Sequence, residues 1–245
     1  MRYSHLVKFV TPVLVFGAAC GDTSSPAGAS KAPVSISFSS QGPVVASPAL
    51  GDVTVTAGTN TLVITKAQVV VRRIKLTAAT TTTCADDDTS ADGCEESIAG
   101  PLLVDLPLTT TAVSSVPAAI PAGTYSEIEF TIHKPGGDTG DAAFALANPN
   151  FANSSIRVEG TFNGTAFVFT SALNEKQRLE FKPPIVVDAT NKNVTLQFAI
   201  ATWFKSGTTV VNPATANSGG ANENLVRNNI RASLRAIEDN DKKGH

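Results

Sequence analysis

Three histidines, His5, His133 and His245, are the whole imidazole supply of this 245-residue chain. That scarcity limits the chemistry open to it. Nucleophilic catalysis needs a base beside a Ser, Thr or Cys. His133 alone is internal, closing an extended run just before Lys134-Pro135, where a surface position is expected. No Gly-x-Ser-x-Gly elbow, phosphate-binding loop or dinucleotide fingerprint is present. Glu127 and Glu129 share one face of the same run. Their spacing fits the roughly 5–9.5 Å between the two carboxyls of a glycosidase, but nothing around them builds a cleft, and a solvated strand face is expected. Asp88-Thr89-Ser90-Ala91-Asp92-Gly93 sets oxygens at the first, third and fifth positions before a Gly, as calcium loops do. Ala99 stands where the bidentate Glu belongs, so Asp86 and Glu96 would have to complete the set with Asp88, Ser90 and Asp92. The alternative, a soluble acidic loop with no cofactor, is the primary expectation. Asp239-Asn240-Asp241 starts a similar pattern that Lys243 breaks. Trp203, the only Trp, is a candidate to stack on a ligand or to pack beneath a C-terminal helix.

Cysteine usage and the N-terminus point to export. Arg2 and Lys8 precede the mostly apolar run Phe9 to Ala19, too short for the ~30 Å hydrocarbon core that needs about 20 residues. The small residues Gly17-Ala18-Ala19 then suit a signal peptidase. Gly17-Ala18-Ala19-Cys20 resembles the lipobox of bacterial lipoproteins, with Gly17 where that family carries Leu, Val or Ile. The resemblance implies that Cys20 is acylated and becomes the mature N-terminus; the plain alternative is a secretory signal cleaved near Ala19. Residues 1–19 are therefore expected to be a signal peptide and 20–33 a polar tether. The remaining Cys84 and Cys94 are expected to form a disulfide around a short acidic loop. Zinc has little to recruit there, because no further Cys exists.

The elements that must position these residues read as strands. Hydrophobic residues make up 42% of the chain, which rules out wholesale disorder. Charged residues are only 16%, with 28 Thr and 15 Asn filling polar space, and the net charge of −2 offers no basic field for nucleic acid. Val34 to Phe38, Val53 to Thr56, Thr61 to Leu76, Leu102 to Leu106, Tyr125 to Ile132, Ile156 to Phe162, Thr165 to Thr170 and Val194 to Phe204 carry extended patterns. Asn163-Gly164 is a strong two-residue hairpin turn, and a bulge or bend is expected at Ala67-Gln68. Ala78 to Gly100, Lys134 to Ser154 and Val211 to Ala221 read as loops, the second with one helical turn around Ala142 to Ala147. Asn222 is placed to cap a helix over about 223–238, with Val226, Ile230, Ser233 and Ile237 inward and Arg227, Arg231 and Arg235 outward. Together these patterns predict an all-β antiparallel β-sandwich in a single domain over 34–245, with a short C-terminal helix.

Leu103-Val104-Asp105-Leu106, followed by Pro121-Ala122-Gly123-Thr124-Tyr125, resembles a family of bacterial lipoproteins built on a domain of unknown function. The resemblance implies an immunoglobulin-like or transthyretin-like sandwich in the cell envelope and transfers no residue roles. The expectation is a non-enzymatic, lipid-anchored binding or structural module facing the periplasm or cell surface, its partner a polysaccharide or a protein. The rivals are a carboxylate-dependent secreted hydrolase and a calcium-stabilised carbohydrate-binding or adhesin domain.

Overall fold

A computed structural model describes residues 31–40, 51–79, 94–108, 114–188 and 193–238. Runs in which β-branched and aromatic residues alternate with polar ones become strands. They are β1 (Lys31–Ser39), β2 (Val53–Ala57), β3 (Asn60–Ala78), β4 (Cys94–Ile98), β5 (Leu102–Asp105), β6 (Ser114–Pro121) and β7 (Gly123–Ile132). After α1 (Asp141–Ala147) come β8 (Ile156–Phe162), β9 (Thr165–Ser171), β10 (Glu175–Val187), β11 (Asn193–Phe198), β12 (Lys205–Ser206) and β13 (Thr209–Val210). α2 (Glu223–Ala232) and β14 (Leu234–Glu238) close the described chain.

These strands build a β-sandwich. The smaller sheet runs β14-β11-β1-β6; the larger runs β10-β7-β3-β8-β9, with β2, β4 and β5 also paired to β3. Inner-face residues Val69, Val71, Ile74 and Leu76 of β3 and Ile128, Phe130 and Ile132 of β7 are fully buried. Phe130 meets Phe198 of the smaller sheet with ring centroids 6.3 Å apart. Toward β2, β8 and β9 the cover changes: Phe204 stands edge-on to Phe169 at 5.1 Å and to Phe167 at 6.1 Å. Burying each such ring contributes on the order of 1.5–3 kcal/mol.

The β8–β9 hairpin forms as its sequence predicts. Asn163 and Gly164 both take positive φ, 50° and 81°, and Phe162 faces Thr165 across the turn. Gly160 is required by packing, since a Cβ there would lie 1.9 Å from the Val63 carbonyl oxygen.

Several expectations need correction. One pairing is parallel, β1 with β11, because the chain crosses the sandwich between them. β1 begins at Lys31, inside the expected tether, and β4 occupies residues expected to be loop. The bulges of β3 fall between Ile64 and Lys66 and between Arg72 and Lys75, where Arg73 has φ 52°, rather than at Ala67-Gln68. The C-terminal helix stops at Ala232, and residues 234–238 pair as a strand with β11. Leu234 and Ala236 alternate with Arg235, and the open edge of β11 rewards that period over the helical one. At the N-terminus of α2, Asn222 makes no side-chain cap; its amide donates to Thr215 Oγ1 instead. The 211–221 connection is ordered too: Asn217 accepts from Thr170 N–H at 2.8 Å and donates to the Val168 carbonyl at 3.2 Å. Its amide thereby occupies backbone groups on the free edge of β9.

Candidate functional site

Strand alternation puts Glu127, Glu129 and Thr131 on the outer face of β7, opposite the core residues. One step past the strand, His133 continues that face. It is buried, at 4% exposure, not on the surface as its place beside Lys134-Pro135 suggests. Its backbone N–H donates to the Val70 carbonyl at 2.9 Å, tying the strand end to β3. Residues 134–155 then fold across the outer face, burying Val70 and Phe151 apart from the sandwich core.

Asp141, the first residue of α1, closes this flap. Its Oδ1 meets His133 Nε2 at 2.7 Å. Its Oδ2 accepts backbone N–H groups from Gly136 at 2.7 Å and from Gly137 and Asp138 at 3.1 Å each. Burial alone would raise this carboxyl, but the three N–H donors and His133 outweigh it and hold Asp141 well below the ordinary carboxylate range. The carboxylate is therefore ionised, and the shared proton resides on His133 Nε2. Asp138 reaches in from the loop and pairs with Arg72, whose Nε donates to the Ala99 carbonyl at 3.2 Å. A cleft of about 270 Å³ opens here, lined by Pro135, Gly136, Gly137, Asp138, Asp141 and three alanines of the flap. A His nitrogen and two carboxylates thus converge within 4.8 Å of one another. Sequence reasoning missed this grouping. The available signal was period two: His133 follows Glu127, Glu129 and Thr131 on one face, and a polar flap rich in Gly and Asp comes next.

At the other end of the same face, Glu127 and Glu129 meet cations. Glu129 pairs with Lys176 at 3.1 Å and Arg178 at 2.7 Å. Arg178 also pairs with Glu127 at 3.3 Å. The register extends the alternation, with Glu96 opposite Lys75, Lys75 opposite Glu129, and Glu129 opposite Arg178. Burial raises Glu127; Arg178 opposes this, while Glu129 and Glu180 add repulsion. A groove of about 410 Å³ runs beside it between β10 and β14. These glutamates are members of a charge ladder and do not stand as an isolated acid–base pair.

The remaining candidates divide. Trp203 is fully buried and cannot offer a stacking face. Its Nε1 donates to Ser233 Oγ at 2.8 Å, and Asn229 of α2 donates to its carbonyl at 2.9 Å. The ligand-stacking role is thus corrected to a packing role beneath α2. The arginine stripe also dissolves: Arg227 pairs with Glu223, Arg231 with Glu175 across to β10, and Arg235 lies on β14. Cys20, Cys84, Asp86, Asp88, Ser90 and Asp92 lie outside the described residues, so the expected lipidation, the Cys84–Cys94 disulfide and most of the calcium set do too. Of that set Glu96 has a described backbone, within β4 at the register position opposite Lys75.

The fold and this grouping define an all-β sandwich with one flap-covered polar cluster. No family model matches the chain, and no curated protein matches it. Among solved structures, MbnP from Methylosinus trichosporium superposes with a TM-score of 0.38 at 11% identity, covering 77% of this chain and 81% of that one.

Proposed function

We propose that the chain is an exported bacterial lipoprotein, held on a membrane through acyl chains on Cys20, whose β-sandwich is a non-enzymatic binding or structural module of the cell envelope. The immunoglobulin-like or transthyretin-like lipoprotein family implied by Pro121 to Tyr125 belongs to this reading. The observation that carries it is Gly17-Ala18-Ala19-Cys20 at the end of a short apolar run, with only ten residues between Cys20 and the first residue of β1, Lys31. The site chemistry supports a module over a carboxylate-dependent hydrolase, because Glu127 and Glu129 are engaged by Arg178 and Lys176. Among the described residues no helix is long and apolar enough to cross a membrane. Two or more acyl chains, at about 0.8 kcal/mol per buried CH₂, anchor a protein stably.

Cell fractionation tests this. The natural chain is expected with membranes, and Cys20→Ala in the soluble fraction. Retention of Cys20→Ala on membranes would overturn the anchoring.

A further inference from the structure

The geometry points to a binding site for one divalent transition-metal ion, of the zinc type, formed by His133, Asp138 and Asp141 at the base of the flap. Their donor atoms lie within 4.8 Å of one another. Ligands at about 2.0–2.2 Å from a shared ion sit roughly 3–4 Å apart, so the 2.7 Å His133–Asp141 pair opens slightly and only Asp138 has a small contraction to make. The Asp138 side chain, 62% exposed, has the freedom to supply it. Asp141 is already aimed: three backbone donors fix Oδ2, leaving Oδ1 turned toward His133. Outer donors of this kind orient metal-ligating carboxylates and keep them ionised.

The 2.7 Å hydrogen bond between His133 and Asp141 marks where the ion enters. The ion takes the place of the Nε2 proton, and the neutral imidazole then carries its proton on Nδ1. The cleft bounded by Asp138 and Asp141 gives access and room for water to complete the coordination. One imidazole nitrogen with two carboxylates suits a borderline metal and disfavours Ca²⁺ and Mg²⁺, which take oxygen ligands. Arg72 opposes the ion, because its guanidinium already pairs with Asp138. Two carboxylates against one guanidinium still leave a net negative pocket.

The test is Zn²⁺ titration of the full chain in detergent, by calorimetry and by imidazole ¹⁵N resonances. One ion should bind per chain, undisturbed by a roughly hundredfold excess of Mg²⁺. Asp138→Asn should weaken binding at least about tenfold; it also deprives the buried Arg72 of its ion pair, so binding is compared under conditions where urea melts show both metal-free proteins folded. His133 truncation risks the fold, so the wild-type spectrum is the second readout: Nε2 should pass from protonated to metal-bound, with the proton on Nδ1. Absence of a one-to-one complex, an unmoved His133 spectrum, or binding that Asp138→Asn leaves intact would each overturn the site. The last result would assign the ion to cysteines or to the other histidines. None of these readouts depends on Cys20 acylation.

Discussion

Two polar clusters share the outer face of β7, about 20 Å apart at ~3.4 Å per residue, and they hold their carboxylates by different means. At the His133 end, Asp141 is bound by three backbone N–H groups and an imidazole. Those donors are fixed by the chain. At the Glu127 end, the partner is Arg178, a flexible side chain 56% exposed to water. Burial pushes both carboxyls up, yet Asp141 ends below its ordinary range and Glu127 above its own. Burial alone therefore does not decide ionisation. Preorganised dipoles do, because they have no side-chain entropy left to lose.

The largest test of this difference is Asp141→Ala. It strands three N–H donors and a buried imidazole, and about 3 kcal/mol should be lost in urea unfolding at neutral pH. The sign with pH follows from the lowered carboxyl. The stability it contributes is complete above its ordinary value of 3.8 and drains away as pH falls through the folded value. Wild-type stability should thus fall on acidification below that point, while Asp141→Asn should follow a flatter curve. A loss below about 1 kcal/mol for Asp141→Ala would mean that the flap closes without the clasp.

The two clusters were unequally legible in the sequence. Strict alternation in β7 and β8 and the Asn163-Gly164 turn place their strands and the hairpin, because a half-buried sheet enforces period two. The same alternation puts Glu127 and Glu129 on one face. Their cations come from β10, some fifty residues away, and pairing at that distance leaves no local mark. His133 failed for another reason: its neighbours Lys134 and Pro135 are exposed-type residues, and its burial depends on a flap whose own Asp141 folds back over eight positions. Leu234 to Glu238 shows tertiary override, where a spacing compatible with a helix yields to an open sheet edge. Trp203 lacks its strand because Ile200–Thr202 turns as a 3-10 helix and rolls the indole under α2.

A middle-sized effect separates the clusters by salt. Arg178→Ala removes the cation from Glu127, while Lys176 remains on Glu129. Exposed pairs of this kind contribute up to about 1 kcal/mol, so the loss should be no larger. It should shrink in about 1 M salt, where the screening length falls to ~3 Å. The Asp141→Ala loss should persist there, because backbone donors packed against a buried carboxylate are not screened in the same way. Equal salt sensitivity of the two variants would remove the distinction between fixed and flexible donors.

The smallest effect has the opposite sign. Glu127 is raised by burial and by repulsion from Glu129 and Glu180, against the attraction of Arg178. A raised folded value means that the protonated form suits the fold. That advantage is present below the ordinary 4.5 and is lost as pH rises through the folded value. Glu127→Gln keeps the shape and removes the charge, so it should match wild type near pH 4 and exceed it at pH 7. The gain is a few tenths of a kcal/mol, since the amide also gives up its ion pair with Arg178. Paired urea melts at the two pH values would resolve the crossover. A Glu127→Gln variant less stable than wild type at pH 7 would show Arg178 outweighing burial, and would place both ends of the β7 face under the same rule.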